Sequence, residues 1–278
     1  MTPKVPKLDE IGHWSELKLE ILTKYASAYT RILHGKRLHP IYIDGFAGAG
    51  EHISRHSGEL VPGSPLNALA VDPPFEKIHL VDLEPERVDN LRRLTADDPR
   101  VKVYSGDSNA ILLSEVFPTI KYEAFERGLC VLDPYGLNLN WSVMSAAGES
   151  KTIEIFLNFP IMDMNRNVLR RSGDADAKDI ARMNAFWGDE SWREIVYRTD
   201  TDLFGTPEKQ SNEAVVSGFR ERLRKIAGFQ YVPEPAPMRN SNNAVVYYLF
   251  FAAQVPAAAN IVSSILGRYR REGRLRGR

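Results

Sequence analysis

The sequence of 278 residues predicts an α/β protein built on a mostly parallel β-sheet, and three observations lead to this fold class. Short apolar runs recur along the chain between turn residues. Segments with a helical spacing of apolar residues separate them, and a glycine-rich turn, IDGFAGAG at 43–50, follows the first run. Strands that alternate with helices form right-handed βαβ units, whose strands lie parallel in one sheet.

The elements follow in order from the spacing of the apolar residues. Residues 14–34 carry them three and four positions apart, which predicts an amphipathic helix packed on the core. Five strands are then expected, at 41–44, 77–83, 101–106, 129–134 and 153–160. Two later apolar runs, at 230–238 and 244–254, predict an antiparallel pair at one side of the sheet, which brings the sheet to seven strands.

These elements divide the chain into four segments. Residues 1–40 form an N-terminal helical segment that packs on the core, and residues 41–160 form the core itself. Residues 161–228 are polar and are expected to be a helical insertion without strands, serving as a substrate or partner region. Residues 229–278 are expected to complete the core with the last two strands, a final helix and a basic tail.

The composition is that of an ordinary soluble globular protein, with 43% hydrophobic and 26% charged residues. No apolar run approaches the roughly 20 residues of a membrane span, and the polar N-terminus has no signal-peptide core. We therefore expect a cytoplasmic protein without a membrane partner. Cys130 is the single cysteine and lies in an apolar run, which indicates a buried thiol, and we expect no metal site.

Basic residues are clustered although the formal net charge is zero. The clusters are Arg166 with Arg170 and Arg171, then Arg220, Arg222, Arg224 and Lys225, and finally the tail from residue 268, which holds six arginines. A solvated surface is the simpler interpretation of each cluster, and phosphate binding is the alternative.

The glycine-rich turn places Asp44 at the end of the first strand, where open α/β sheets bind ligands. The residues of the turn expected to contact a ligand are Gly45, Phe46, Ala47, Gly48 and Gly50. Glycines let a backbone approach a ligand closely, but a turn of this type also holds dinucleotides or nothing at all.

Acidic residues also follow the second and third strands. Asp82 can accept hydrogen bonds from both ribose hydroxyls of a nucleoside, or it caps the helix that begins at Pro85. Asp107, with Ser108 beside it, can meet an adenine amino group, or it is the N-cap of the next helix.

The fourth strand ends in L-D-P-Y-G, residues 132–136. The carboxylate of Asp133 or the carbonyl of Pro134 can accept a hydrogen bond from an exocyclic amine, and the Tyr135 ring can stack on a base. The alternative is a buried aspartate that caps a turn, with Tyr135 in the core.

Two further features concern substrate binding. Asn158, at the end of the fifth strand, can hydrogen-bond a base edge or tie two loops together as a buried amide. The aromatic residues Phe186, Trp187 and Trp192 can stack on a flipped base, but a core role in the insertion is the more frequent one.

The order D-G-F-A-G-A-G, V-D-L-E, G-D-S and D-P-Y-G resembles that of the class I S-adenosylmethionine-dependent methyltransferases. The resemblance implies a Rossmann-like class I methyltransferase fold in which the turn holds the methionine part of S-adenosyl-L-methionine, Asp82 the ribose and Asp107 the adenine. D-P-Y-G resembles the D-P-P-Y of amino-methylating nucleic-acid enzymes and the D-P-F-G of tRNA guanine-N2 methyltransferases. It therefore implies a nucleic-acid partner, RNA or DNA. On such a partner, the positions in the sequence predict that Asn158 binds the substrate at a base edge and that Arg166, Arg170 and Arg171 bind its phosphates.

Nearly the whole chain resembles the three-Cys-motif partner protein family, on W-S-E-L-K-L-E-I-L-T-K-Y, the glycine turn, V-P-G-S-P-L-N-A-L, L-D-P-Y-G, I-F-L-N-F-P and Y-Y-L-F-F-A-A-Q. That likeness adds a cysteine-motif protein as a partner. P-G-S-P also resembles a loop of bacterial rRNA adenine-N6 methyltransferases, which implies that Lys18 and Ser64 lie at the cofactor. A solvated Lys18 and a helix-capping Ser64 are the alternatives.

The sequence thus predicts a methyltransferase that acts on an exocyclic amine of a nucleic-acid base. A methyltransferase-like binding protein that works with a cysteine-motif protein is the alternative. A nicotinamide-dependent oxidoreductase shares the glycine turn and is a third, weaker option.

Overall fold

The computed structural model describes residues 8–169, 175–201, 207–273 and 275. The strands in chain order are β1 (Glu10–Ile11), β2 (His39–Asp44), β3 (Glu51–Ser54), β4 (Leu60–Pro62), β5 (Lys77–Asp82), β6 (Val101–Ser105), β7 (Glu126–Leu132), β8 (Ile153–Phe159), β9 (Tyr197–Thr201), β10 (Pro207–Lys209), β11 (Ala236–Arg239) and β12 (Val245–Ala252).

The helices in chain order are α1 (His13–Gly35), α2 (Ser64–Leu69), α3 (Pro85–Leu94), α4 (Ser108–Ile111), α5 (Trp141–Ser150), α6 (Ile161–Asn167), α7 (Ala177–Trp187), α8 (Trp192–Val196), α9 (Asn212–Lys225) and α10 (Pro256–Arg271). A π-helical turn, Leu112–Val116, and a 3-10 turn, Phe117–Thr119, continue α4. None of the helices in the described part of the chain is both long and apolar enough to span a bilayer.

Seven strands form the central sheet, in the spatial order β11-β12-β8-β7-β2-β5-β6. The five strands from β8 to β6 are parallel to one another and have the doubly wound order in which the first strand lies at the centre. β12 is antiparallel to both of its neighbours, β8 and β11. The predicted fold is therefore confirmed: a mostly parallel seven-stranded sheet with flanking helices and an antiparallel pair at one edge.

The pleat of the strands divides the core into two apolar layers, because successive side chains point to opposite faces of a sheet. Ile41 and Ile43 of β2 pack with α4 to α9, whereas Tyr42 packs with α1, α2, α3 and α10. Each large apolar side chain that becomes fully buried contributes about 1.5–3 kcal/mol to folding. Cys130 is buried in the first of these layers, as predicted.

The segment after β8 differs from the prediction in one respect. It was expected to lack strands, but β9 and β10 form a two-stranded antiparallel sheet. Its helices share the core of the central sheet, and the aromatic residues Phe186, Trp187 and Trp192 are at most 1% exposed. These rings are core residues and are closed to a base.

The basic cluster at 220–225 is held by intramolecular contacts. Arg222 is 9% exposed, donates to Asp189 at 2.6 Å and lies over the ring of Trp141. Its neighbours also form ion pairs: Arg220 with Glu234, and Arg224 and Lys225 with Glu221. Arg170 and Arg171 lie outside the described residues, as do three arginines of the tail, Arg274, Arg276 and Arg278.

A small sheet that the sequence did not predict lies over the glycine turn. β3 pairs parallel with β1 and antiparallel with β4. It connects to the turn through Gly63, whose N–H donates to the carbonyl of Gly50 at 2.8 Å.

Candidate active site

Three polar residues follow adjacent strands at the carboxyl edge of the central sheet: Asp44 on β2, Asp133 after β7 and Asn158 on β8. Residues two positions before each of them, Tyr42, Val131 and Phe156, belong to the apolar layer beneath α1. Because side chains alternate along a strand, the three polar groups face the same helix.

Asp133 is held by α1 and by the neighbouring strand. The ammonium of Lys18 forms an ion pair with its Oδ2, and the amide of Asn158 donates to its Oδ1 at 2.5 Å. Burial alone would raise the pKa of Asp133, but the charge of Lys18 and these hydrogen bonds hold that pKa below its ordinary value. The site therefore keeps a carboxylate whose side chain is 33% exposed to the cavity.

The contacts of Lys18 and Asn158 decide between the alternative roles considered for each residue. Lys18 is 9% exposed, so its interpretation as a solvated residue is wrong. Asn158 does tie two segments together, but its Oδ1 is buried and finds no hydrogen-bond partner within the described residues. A buried acceptor oxygen without a donor thus lies beside Asp133.

Asp44 lies beneath the glycine turn and is fully buried. Its carboxylate accepts from Ser64 Oγ at 2.6 Å, from Tyr42 OH at 3.2 Å and from the Phe46 N–H at 3.2 Å. Burial raises the pKa of Asp44 to about 6, although the hydrogen bond from Ser64 lowers it. Asp44 therefore supports the backbone of the turn from below, through the hydrogen bond that it accepts from Phe46.

The capping role considered for Ser64 is wrong. Gly63 is the N-cap residue of α2, no side chain caps that helix, and the Ser64 hydroxyl donates to Asp44 instead. Ser64 still lines the cavity in front of the turn.

The turn presents its backbone to that cavity. Gly48 has a φ of 65° and Gly50 a φ of 88°, conformations that favour glycine. A Cβ at Gly48 would meet nothing within 4 Å, so this part of the turn borders open space. The Gly45 N–H donates to Val131 O at 3.0 Å and the Ala47 N–H to Val81 O at 2.9 Å, which fixes the turn to both neighbouring strands.

Asp82 and Asp107 line a second cavity. Asp82 is 5% exposed and accepts from the N–H of Gly48 at 2.8 Å and of Glu84 at 2.9 Å. Asp107 accepts from the Asn109 N–H at 3.2 Å, so its predicted role as the N-cap of α4 is confirmed. The buried hydroxyl of Ser108 donates to the carbonyl of Gly45.

The two cavities meet at Asp9, Phe46 and Tyr135, which line both. The first cavity, of about 510 Å³, also contains Lys18 and Asp133, and the second measures about 900 Å³. Phe46 of the glycine turn stands at their junction, so the arrangement suits an elongated ligand with one end in each cavity.

Tyr135 is 60% exposed, and the expectation of a core ring at this position is wrong. Its hydroxyl donates to Asp9 at 3.0 Å and accepts from Arg87 at 2.8 Å. The guanidinium of Arg87 lies 5.4 Å from the centre of the ring and also donates to Asp9 at 3.0 Å. A polar cluster thus holds the ring at the junction of the cavities.

Several residues of the site carry no sequence signal. His52 on β3 lines the first cavity, as do Trp14 and Tyr247, and Asp9 and Arg87 hold Tyr135. Trp14 and Tyr247 open two of the segments quoted above, W-S-E-L-K-L-E-I-L-T-K-Y and Y-Y-L-F-F-A-A-Q, but the sequence assigned them no role in the site. His52, Asp9 and Arg87 belong to no recognisable motif. Of the predicted arginines in the described part of the chain, Arg166 does line the first cavity.

No family model and no curated protein sequence matches the chain. Solved structures do show a likeness. A Legionella pneumophila protein of the family DUF519 is 14% identical and has a TM-score of 0.48, covering 89% of this chain and 91% of its own. A candidate methyltransferase from Thermobifida fusca is 14% identical, with a TM-score of 0.41 and coverages of 84% and 80%. The 23S rRNA methyltransferase ErmE is 12% identical, with a TM-score of 0.34 and coverages of 87% and 72%. The fold class itself rests on the strand order and pairing described above.

Proposed function

We propose that the protein is an S-adenosylmethionine-dependent methyltransferase that modifies an exocyclic amine of a nucleic-acid base. The observation that carries the proposal is the Asp133 carboxylate, which is partly exposed in the cavity that the glycine turn borders and has the buried, unpaired Oδ1 of Asn158 beside it. A motif likeness to the three-Cys-motif partner family, and a cytoplasmic location, stay predictions from the sequence.

The two acceptors favour an amine over a hydroxyl as the methyl acceptor. An amine has two N–H bonds and can donate to Asp133 and to Asn158 together, whereas a hydroxyl has one hydrogen to donate. A buried acceptor without a donor costs about 1–3 kcal/mol. A bound amine that reached Asn158 would remove this cost, and the carbonyl of Pro134, a residue that lines the same cavity, would be a third acceptor.

The residues present fit the methyl donor. The backbone from Gly45 to Gly50 would border its methionine part, Asp82 would accept from the ribose and Asp107 from the adenine. Lys18 lines the cavity and would lie close enough to attract the methionine carboxylate, as the motif resemblance implies, while it stays paired with Asp133. When bound, S-adenosylmethionine supplies an electrophilic methyl group.

No strong base is needed before the transfer, because the nitrogen gains positive charge only as the new bond forms. The carboxylate of Asp133 would stabilise this developing charge, and Lys18 keeps that carboxylate ionised. Positioning of the amine by Asp133 and Asn158 would supply the rest.

The nucleic-acid part of the proposal rests on the ring of Tyr135 at the cavity and on arginines at the cavity and at the end of α10. The Tyr135 ring is exposed there and offers a face on which a base can stack. Arg166 lines the same cavity, and exposed arginines, Arg268, Arg270 and Arg271, extend along the last turn of α10. Phosphate contacts by these residues would make binding weaken steeply with salt.

The test is transfer of a tritiated methyl group from S-adenosylmethionine to total RNA, genomic DNA and cell protein. We expect labelled RNA or DNA, and a loss of about a hundredfold or more in rate for Asp133→Asn, since one preorganised group at a reacting centre has about this effect. Asp97→Asn, an exposed aspartate far along the chain, is the matched control and should keep full activity. Labelled protein alone would contradict the proposal.

A methyltransferase-like binding protein is the second candidate function. The observation that favours it is that Lys18 and Asn158 already engage both oxygens of Asp133. Such a protein would bind S-adenosylmethionine in calorimetry, would capture a cysteine-motif protein from its native host, and would transfer no methyl group to any of the three pools.

A further inference from the structure

A further cavity lies at the amino edge of the central sheet, and we call it the amino-edge cavity. It is formed by α1, by the starts of β7 and β8 and by the start of α10, and it shares no lining residue with the two cavities of the candidate active site. Glu154 of β8 lines it, whereas Asn158, further along the same strand, belongs to the candidate site. Four residues of extended strand separate the two by about 13 Å. The amino-edge cavity is therefore distinct from the site of the proposed methyl transfer.

The inner wall of the amino-edge cavity is apolar. Leu33, Ile153 and Ala258 line it and are at most 8% exposed. At the outer side Val255 is 48% exposed although it is a large apolar residue. The cavity has a volume of about 110 Å³. Since a water molecule has about 30 Å³ of liquid volume and a methylene group is of similar size, this space holds a chain of about four carbons.

Three cations line the same cavity: Lys36 at the C-terminal cap of α1, Arg127 on β7 and Lys151 at the C-terminal cap of α5. Lys36 and Lys151 are exposed and therefore stand at the rim. Arg127 donates to the carbonyl of Glu126 at 2.7 Å, and Lys151 to the carbonyl of Gly228 at 2.8 Å. None of the three forms an ion pair with a residue that the structure describes, so their charges have no counter-ion there.

Glu154 is the only carboxyl among the residues that line the amino-edge cavity in the described part of the chain. Its Oε2 accepts from the hydroxyl of Tyr25 at 2.5 Å. Burial raises the pKa of Glu154 to about 7, although this hydrogen bond lowers it. The other titratable group at the inner wall is Tyr29, whose hydroxyl stays neutral because burial raises its pKa well above the ordinary value. Three cations and one partly ionised carboxyl thus leave an excess of positive charge near neutral pH.

We propose that the amino-edge cavity binds a short aliphatic carboxylate. The carbon chain would lie against Leu33, Ile153 and Ala258, out of water, and the carboxylate would pair with the cations at the rim. An ammonium on the same chain would be repelled by these cations, and a hydroxyl would form no ion pair with them. The inference does not depend on the proposed methyl transfer.

The first test is a titration of the full chain with pentanoate, followed by the NMR chemical shifts of its backbone amides. Pentylamine and pentanol have a carbon chain of the same length and are the matched probes. We expect shifts in the residues of the amino-edge cavity and a lower dissociation constant for pentanoate than for either of the other two. Tighter binding of pentylamine, equal binding of all three probes, or no shifts with pentanoate would each overturn the proposal.

The second test places the ligand by substitution. Ala257 lines the rim and is exposed, so Ala257→Phe should fill the cavity without disturbing the core and abolish the shifts. Ser263→Phe is the matched control, because Ser263 is an exposed residue of α10 that lines none of the three cavities. An Ala257→Phe protein that binds pentanoate as the wild type does would overturn the proposal.

The contribution of charge is measured by Lys36→Gln. This variant should weaken the binding of pentanoate about two- to fivefold and leave that of pentanol unchanged, since an exposed ion pair contributes on this scale. Lys178→Gln, at an exposed position of α7, is the control and should bind pentanoate like the wild type. Equal weakening of both probes in Lys36→Gln would contradict a carboxylate at the rim.

The dependence on pH is an independent check. A carboxylate bound beside Glu154 favours the protonated form of this side chain, so binding takes up a proton. The affinity for pentanoate should therefore fall about three- to tenfold from pH 6 to pH 8. In Glu154→Gln, which keeps an acceptor for Tyr25, the affinity should stay constant over this range. A wild-type affinity that is constant or rises with pH would show that the ligand does not lie beside Glu154 and would overturn the proposal.

Discussion

Asp44 is a carboxylate without access to solvent, and its charge is held by three donors rather than by a cation. A charge in such surroundings is costly, so the pKa of the Asp44 carboxyl is raised to about 6. The folded protein therefore binds this proton more tightly than the unfolded chain. Between the two pKa values, the contribution of Asp44 to the free energy of unfolding falls as the pH rises.

Asp44→Asn should remove this dependence on pH. The amide keeps an acceptor for the N–H of Phe46, and the Ser64 hydroxyl can accept from its amide group instead of donating. Relative to the wild type, the variant should gain on the order of 3 kcal/mol in free energy of unfolding from pH 3.8 to above pH 6. Urea unfolding across this range measures the difference. If the free energies of unfolding of the two proteins change in parallel with pH, Asp44 titrates in its ordinary range.

The Lys18–Asp133 pair gives a second prediction at the scale of single residues. Lys18→Met should raise the pKa of Asp133 and lower the free energy of unfolding at pH 7, because a partly buried carboxylate loses its cation. The double variant with Asp133→Asn should recover most of that loss. Lys24→Met is the control, since its ammonium pairs with Glu20 at the surface and such pairs contribute about 0–1 kcal/mol.

A double-mutant cycle from chemical unfolding of the four proteins measures this coupling. A cycle in which the two single changes simply add would show that the ion pair contributes nothing to stability at this site.

At the scale of elements, close packing decides the effect of a glycine within a helix. In an exposed helix, Gly→Ala stabilises by up to about 1 kcal/mol. Gly148 of α5 is different, because a Cβ there would lie 2.0 Å from the carbonyl oxygen of Ala227, which follows α9. Contact with a backbone atom cannot be relieved by a side-chain rotation.

Gly148→Ala should therefore lower the free energy of unfolding by about 1–3 kcal/mol, the usual cost of overpacking. Gly267→Ala in α10 is the matched control, since its Cβ would come no closer than 3.5 Å to the flexible side chain of Arg271. That variant should be stabilised. Thermal unfolding of both proteins measures the signs, and a stabilised Gly148→Ala would mean that α5 and α9 are further apart than described.

The elements that the sequence predicted are the ones with enough residues to show a period. Six strands of the central sheet and helix α1 were found within three residues of their predicted bounds, because each has a run of apolar residues at the right spacing. The seventh strand, β11, begins at Ala236, six residues later than predicted. Strands β1, β3 and β4 have two to four residues and show no period. Strands β9 and β10 are short and polar in the same way.

The sequence predicts those residues of the candidate site that stand at the ends of strands. It does not predict the contacts that form where two distant segments of the chain meet. Asp133 and Asn158 stand at strand ends, so their place could be read from the sequence. The pairing of Asp133 with Lys18 joins residues 115 positions apart, and α1 must cross the sheet edge to make it. His52 reaches the cavity only because β3 folds back over the turn, which nothing in its neighbouring residues indicates.

At the scale of the whole molecule, two cavities at the carboxyl edge of the sheet meet at Asp9, Phe46 and Tyr135. A ligand that fills both would bind the folded chain and not the unfolded one. Such a ligand stabilises by about 2.7 kcal/mol when present at 100 times its dissociation constant.

S-adenosylhomocysteine, the demethylated form of the proposed donor, should therefore raise the melting temperature by about 5 °C, since 1 kcal/mol corresponds to about 2–4 °C for domains approaching this size. NAD at the same concentration should cause no shift. Asp107→Asn is the sharpest variant, because asparagine caps helices as well as aspartate does. Its melting temperature without ligand should be that of the wild type, whereas its amide would present a donor to the adenine amino group and reduce the shift. An equal shift in Asp107→Asn would place the adenine elsewhere, and a shift with NAD alone would favour a nicotinamide-dependent oxidoreductase over a methyltransferase.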